Sequence, residues 1–440
     1  MSDALLWHRL QFAFTAVFHY IFPALTMGLV PMLVFAKAME VRTKDPVWGH
    51  TSDFLARIFA VNFVVGVVTG IPMEFQFGTN WSGFSARAGG IIGQTLGMEG
   101  LFAFFLESTS VGLFLWGKKR IGARGQLVAG VFLCLGVWMS AYFIVVTNAF
   151  MQHPVGYAED AGGRLRLTSI SEVLMHRWAW VAFTHAVAAA VVTAGFVVSA
   201  IGAFYTLSDK HPAVRARLLQ LGVVFGLVGA LLVAFPTGDQ QAKLVARHQP
   251  VALAAMEGRF ESGPVAGITL IGQPNVKAHT LDNPVRIPGA LSFLAYGTVH
   301  DNVRGLSEFP EADWPDNIEL LYYSFHLMAG IGTVMLGLMA LAALLLWRKR
   351  LERTRLLLYA LLVSFPLPYI ANTAGWLTAE LGRQPWLIYG VMRTKDGAST
   401  AVHSGTALFT LIGFCGMYLL LGVLFVFLIA KEIRKGPAHA

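Results

Sequence analysis

Four side chains able to ligate a metal ion, His19, His185, Met328 and Glu380, stand inside or at the edge of long apolar runs, and two further acids, Glu99 and Glu107, share another such run. An ionisable group surrounded by lipid costs about 3 kcal/mol or more unless a partner, a cofactor or water compensates it, so each one is a functional hypothesis by default. Imidazole, thioether and carboxylate are metal ligands. Two carboxyls eight residues apart, separated by about 12 Å along a helix axis and about 80° around it, make a step for protons, and Ser140 offers a hydroxyl at a similar depth. Taken singly, each residue also has a structural alternative. A membrane histidine serves as an interhelical hydrogen-bonding group, a methionine fills a gap, and a neutral buried acid bonds a neighbouring helix. The segment from Gly375 to Trp386 adds Arg383 and the belt tryptophans Trp376 and Trp386 beside Glu380, where an apolar run ends.

The elements that must position these groups are legible from composition. With 55% hydrophobic and 13% charged residues, the chain is a polytopic membrane protein rather than a water-soluble core. About nine apolar stretches can cross roughly 30 Å of hydrocarbon: 11–36, 53–78, 93–118, 126–148, 178–205, 216–236, 320–347, 354–376 and 403–430. Only helices satisfy the backbone over so long an apolar run, so the expected fold is all-α, a transmembrane helical bundle. The expected organisation is spans one to six over 1–236, an extracytoplasmic loop over 237–319, and spans seven to nine over 320–440. No internal repeat is visible.

The net charge of +8 does not point to nucleic acid, because the basic residues cluster in alternate loops rather than in one stripe. Lys37, Arg42 and Lys44 follow the first span, Lys118 to Arg124 the third, Lys210 to Arg217 the fifth, Arg348 to Arg355 the seventh, and Lys431 to Lys435 the last. That alternation sets these loops in the cytoplasm and the N-terminus outside. The first span is too long for a secretory leader and has no basic region before it, so it reads as a retained helix. Cys134 and Cys415 lie inside spans without metal-ligand spacing and read as small buried hydrophobes. With this topology, His19, Glu99, His185 and Met328 come about 12, 9, 10 and 12 Å from the outer ends of their spans, and Glu380 lies just past the outer end of the eighth. The candidate ligands therefore gather in the outer leaflet.

These residues sit in segments that resemble subunit I of the cytochrome bd quinol oxidases: Arg9 to His19, Met98 to Ser108, Asn148 to Gly156, and Gly382-Arg-Gln-Pro-Trp386. The resemblance implies a terminal oxidase of the bacterial cytoplasmic (inner) membrane. Such an oxidase takes electrons from membrane quinol at the outer face, reduces O2 to water with protons from the cytoplasm, and so contributes to a proton motive force. It implies a low-spin haem b on His185 and Met328, and a high-spin haem b and a chlorin-type haem d on His19 and Glu380, with the assignment between those two open. Arg383 would then pair with a haem propionate. Glu99, Glu107 and Ser140 would lie on the proton route. Subunit II, a small single-helix accessory subunit and the lipid bilayer are the implied partners.

Two positions depart from the pattern of that family. The loop from Gly238 to Glu257 resembles its quinol-binding loop, in the short form, but Ala252 stands where lysine is usual, leaving Glu257 as the base and Lys243, Arg247 or Arg259 as replacement cations. His326 stands where arginine commonly precedes the axial methionine by two residues, which implies a lower potential for the low-spin haem. Two other readings compete. One is a diverged relative with a different donor or acting as an electron conduit; the other is a transporter, disfavoured because the special residues cluster in one leaflet and no repeat is seen.

Overall fold

The computed structural model describes residues 3–437. Its helices overrun the apolar cores that predict them, because polar turns extend each one beyond hydrocarbon. They are α1 (Asp3–Thr43), α2 (Pro46–Thr79), α3 (Ser82–Met98), α4 (Phe105–Trp116), α5 (Lys118–Gln152), a short α6 (Ile170–Met175), α7 (Arg177–Leu207), α8 (Pro212–Leu232) and α9 (Gly238–His248). After them come α10 (Pro250–Met256), α11 (Ala290–Tyr296), α12 (Ile318–Trp347), α13 (Arg355–Val363), α14 (Leu367–Arg383), the single turn α15 (Thr394–Gly397) and α16 (Ser404–Lys435). Among the described residues eight helical stretches are long and apolar enough to cross a membrane. A ninth is the pair α13 and α14, bent by 40° across a break of at most four residues.

Three antiparallel hairpins lie outside the spans: β1 (Tyr157–Glu159) with β2 (Leu165–Leu167), β3 (Ile268–Asn275) with β4 (Thr280–Ile287), and β5 (Trp386–Ile388) with β6 (Met392–Arg393). The sixth span does not stop near residue 236. It runs through a π turn at Val233–Thr237 into α9, so the start of the expected outer loop is helical. A second π turn, Glu99–Phe104, joins α3 to α4 and changes the azimuth between Glu99 and Glu107 from the α-helical value. Glu380 lies in the last turn of α14 rather than past its end, since the helix continues to Arg383.

Small residues set the helix spacing. A Cβ at Gly195 of α7 would overlap Gly226 of α8, and one at Gly28 of α1 would overlap the Ala190 carbonyl of α7. Where dispersion and backbone proximity rather than water exclusion hold helices together, glycines at contacts permit the closest approach. Around this seam lies a buried core of Leu29, Val30, Leu33, Phe54, Phe59, Ala194 and Val198. The outward faces of α12 and α16 are apolar and exposed, as lipid-facing or subunit-facing helices must be. At one end of the bundle Arg9 pairs with Asp316 at 2.8 Å. At the other, fully buried Lys37 is held by Glu40 at 2.6 Å and Asp53 at 3.6 Å, and Arg57 bonds Glu432 at 2.8 Å. The mainly basic loops thus share the end opposite the β3–β4 hairpin.

Replacing Gly195 by valine should separate α7 from α8 and cost about 1–3 kcal/mol or more from overpacking. Thermal denaturation followed by near-UV circular dichroism should show a lowered midpoint; an unchanged midpoint would refute the contact as a determinant of spacing.

Candidate functional site

The two histidines are oriented by the same device. His185 Nδ1 lies 3.1 Å from Thr237 Oγ1, and His19 Nδ1 lies 3.1 Å from Thr69 Oγ1. Thr237 Oγ1 donates to the Leu232 carbonyl at 2.8 Å, and Thr69 Oγ1 donates to Val65 at 2.9 Å and Gly66 at 3.0 Å. A hydroxyl has one proton. With that proton committed to a carbonyl, each threonine oxygen accepts from its histidine, which places the ring proton on Nδ1 and the lone pair on Nε2. This is the tautomer a metal-ligating histidine needs. The local sequence explains the geometry near His185. Pro236 has no N–H to give the Leu232 carbonyl, and the π turn lets the Thr237 hydroxyl take that carbonyl instead. Pro31 frees the Met27 carbonyl in the same way, and Trp138 Nε1 fills it at 3.1 Å.

Met328 lies against Gly375 of α14, where an added Cβ would sit 2.8 Å from its sulfur. Helix α8 packs on both α7 and α12, so the helices carrying His185 and Met328 flank it. One turn beyond Gly375, Glu380 accepts from Asn148 Nδ2 at 2.8 Å and forms an ion pair with Arg383. Arg383 is 2% exposed, and its Nε and Nη1 have no partner among the described residues. A buried guanidinium with two idle donors is costly, and an anionic group would satisfy it bidentately. Gln152 Nε2 donates to the Ala379 carbonyl at 3.1 Å while Gln249 Nε2 donates to Gln152 Oε1 at 2.9 Å, tying the outer segment to this turn.

Glu99 accepts from Ser140 Oγ at 2.7 Å, and Glu74 of α2 lies within electrostatic reach of it. Glu107 is buried further along and lies within electrostatic reach of Glu99. Its helix meets α5 at Gly136, where a Cβ would come 2.8 Å from the Glu107 amide nitrogen. Glu74 is the member that sequence reasoning missed, although it is an acid within the second apolar stretch. Asn148, Thr69 and Thr237 carried no signal of their own, and only Pro236 marked the turn.

In the outer segment Glu257 is 2% exposed, with Oε2 accepting from the Thr269 amide at 3.0 Å. Burial pushes its carboxyl up to about 7 against the opposing effects of that hydrogen bond and of Arg286 and Arg259. Of the three cations anticipated beside it, only Arg259 acts on it. Ala252 is buried against Gly382, 3.3 Å from where that glycine's Cβ would be. His326 ties α12 to the hairpin, with Nδ1 2.8 Å from the Tyr322 carbonyl and Nε2 2.9 Å from the Thr269 carbonyl.

A bundle of this kind, with candidate ligands and acids set between apolar helices long enough to cross a bilayer, is that of a polytopic membrane protein. The family profile described as cytochrome bd terminal oxidase subunit I matches residues 7–437, and the chain belongs to that family. It is 35% identical to cytochrome bd ubiquinol oxidase subunit 1 of Bacillus subtilis (strain 168), over 100% of this chain and 95% of that one. It is 32% identical to cytochrome bd-II ubiquinol oxidase subunit 1 of Escherichia coli (strain K12), over 100% and 98%. The structure of bd oxidase from Geobacillus thermodenitrificans superposes with a TM-score of 0.91 at 29% identity, covering 99% of both chains. The chain is therefore a multi-pass protein of the bacterial inner membrane, from a family of quinol oxidases that use haem cofactors.

The residues present fit such a group. Two histidines offer unprotonated Nε2 atoms, and Arg383 offers two idle donors for an anionic substituent. Among the described residues no three metal-ligating groups converge on one point, and each candidate stands singly, as an axial ligand to a macrocycle does.

Thr237→Val removes the acceptor for His185 Nδ1–H while keeping the shape, and loss of such an orienting partner costs about 10–100-fold in metal affinity. The reduced-minus-oxidised spectrum should show less bound haem than wild type. Full retention, including after mild detergent washing, would contradict the orienting role.

Proposed function

We propose that this chain is the haem-bearing subunit of a quinol:oxygen oxidoreductase that oxidises quinol beside the β3–β4 hairpin at the outer face and reduces O2 to water within the bundle. His185 and Met328 would hold a low-spin haem b. His19 and Glu380 would hold a high-spin haem b and a haem d, with the choice between them open, and Arg383 would take a propionate. When bound, these groups supply electron transfer and the reduction of oxygen. The observation that carries the reading is the pair of histidines whose threonine partners leave Nε2 free.

The side chains supply proton handling. Four protons are consumed for each O2 reduced to two waters, and an apolar bundle passes them only through titratable or hydroxyl stations. Glu107 is the station nearer the end with the mainly basic loops, taken as cytoplasmic with the N-terminus outside. Glu99, with Ser140 bonded to it and Glu74 within electrostatic reach, is the next. On the outer side Glu257 accepts a quinol proton, and its release outward, with uptake from inside, generates a potential without a pump. Subunit II and a small single-helix accessory subunit would cover apolar outer faces of the bundle.

Glu257 acts as a base only when deprotonated, so with its carboxyl near 7 the quinol-supported rate should rise with pH through about 7. Oxygen uptake by Glu257→Gln with a short-chain quinol should fall at least about tenfold with the haem spectrum unchanged. Wild-type turnover in that variant would end the role assigned to Glu257.

Introducing a fixed cation at position 326, two residues before Met328, favours the reduced form of a group held there. Redox titration of His326→Arg should give a higher low-spin potential than wild type; an equal or lower one refutes the proposal.

A further inference from the structure

Beside the β3–β4 hairpin, among the described residues, lie two unpartnered groups that the proton-acceptor role alone leaves unused. Glu257 has one oxygen on the Thr269 amide, while Oε1 accepts no hydrogen bond among the described residues. Tyr322 of α12 is 1% exposed, and its hydroxyl has no partner among the described residues. Its ring is fixed on both sides. It lies on His326 with centroids 4.0 Å apart, and it covers Gly258, whose φ of +60° suits glycine and whose absent Cβ would sit 3.2 Å from the ring. Tyr322 and Glu257 are close enough to act on each other electrostatically.

The cations around this pair differ in availability. Arg259 is committed, donating to the Val303 carbonyl at 3.2 Å and the Gly263 carbonyl at 3.0 Å, and it also feels Glu261. Arg286 is exposed on β4, directly across the ladder from Thr269, and its charge acts on both Glu257 and Tyr322. Among the described residues neither arginine forms an ion pair with Glu257, so the charge of Arg286 is not committed to it in this structure.

We propose that Arg286 and Tyr322 complete, with Glu257, the seat of the quinol headgroup. This rests on reading the outer segment as the quinol site. Glu257 Oε1 accepts one quinol hydroxyl, and the Tyr322 hydroxyl donates to the same oxygen. On proton transfer the quinol O–H bond breaks, a carboxyl O–H bond forms on Glu257, and the electron pair stays on the quinol oxygen. The resulting anion is met by the Tyr322 O–H and the Arg286 guanidinium. Arg286 thus provides the positive charge from the hairpin, while Ala252 packs on Gly382.

The test uses the purified oxidase with its second subunit, ubiquinol-1 as donor and oxygen uptake as readout, with the reduced-minus-oxidised spectrum reporting assembly. Removing the Arg286 charge makes Glu257 hold its proton to higher pH. Arg286→Gln should therefore move the acid limb of kcat/KM up by about one pH unit, a roughly tenfold loss on its acid side, with Arg286→Lys restoring it. Tyr322→Phe should raise KM about tenfold with kcat retained, the loss of one buried hydrogen bond. Arg286 is exposed, so its variants test the proposal even where Tyr322→Phe fails to assemble. Wild-type KM and pH profile in Arg286→Gln, with Glu257→Gln inactive, would overturn this proposal alone. Full quinol turnover in Glu257→Gln would overturn the underlying site as well.

Discussion

In a hydrocarbon-facing bundle every backbone carbonyl released from the helix ladder must find another donor, and the candidate site is assembled from the ways this chain meets that demand. Pro236 withholds its N–H from Leu232, the Thr237 hydroxyl answers, and the same hydroxyl then has only acceptor capacity left for His185. Thr69 reaches the same state by bonding back to its own helix. The protonation pattern of two imidazoles thus follows from carbonyl bookkeeping one shell away.

Charge is handled by the same economy. Two part-buried acids are held by neutral donors: Glu99 by Ser140, and Glu380 by Asn148 as well as by Arg383. Arg383 is the exception, a buried cation with more donors than the protein satisfies. That excess ties the end of α14 to whatever anionic group it meets, and it sets this turn apart from the paired basic residues at the opposite end of the bundle.

The bundle was legible because apolar runs of membrane length have one structural solution, and their number follows from hydropathy. The π turns were not. Nothing in Glu99–Phe104 distinguishes an i to i+5 turn from an α-helical one, and Pro236 marks a break without giving its pitch. Depth along separate helices correctly made Ser140 a neighbour to consider for Glu99, since both counts run from the same membrane surface. Glu74 escaped because it was not counted beside them, and Tyr322 and Arg286 because their proximity to Glu257 arises from folding of a long outer segment onto α12. The missing lysine at Ala252 suggested a charge lost from beside Glu257, whereas the turn of α10 directs that position to Gly382.

The glutamine bridge from Gln249 through Gln152 to the Ala379 carbonyl gives the outer segment a fixed footing one residue from Glu380. Electron transfer slows steeply as donor and acceptor separate. A donor seat borne on a freely moving loop would sample many separations, and its slowest ones would govern throughput. If quinol is oxidised at this segment as proposed, clamping α10 to α14 through two amides and the Ala252–Gly382 contact would make that separation a property of the helix bundle, and substrate could exchange without changing the length of the electron's path.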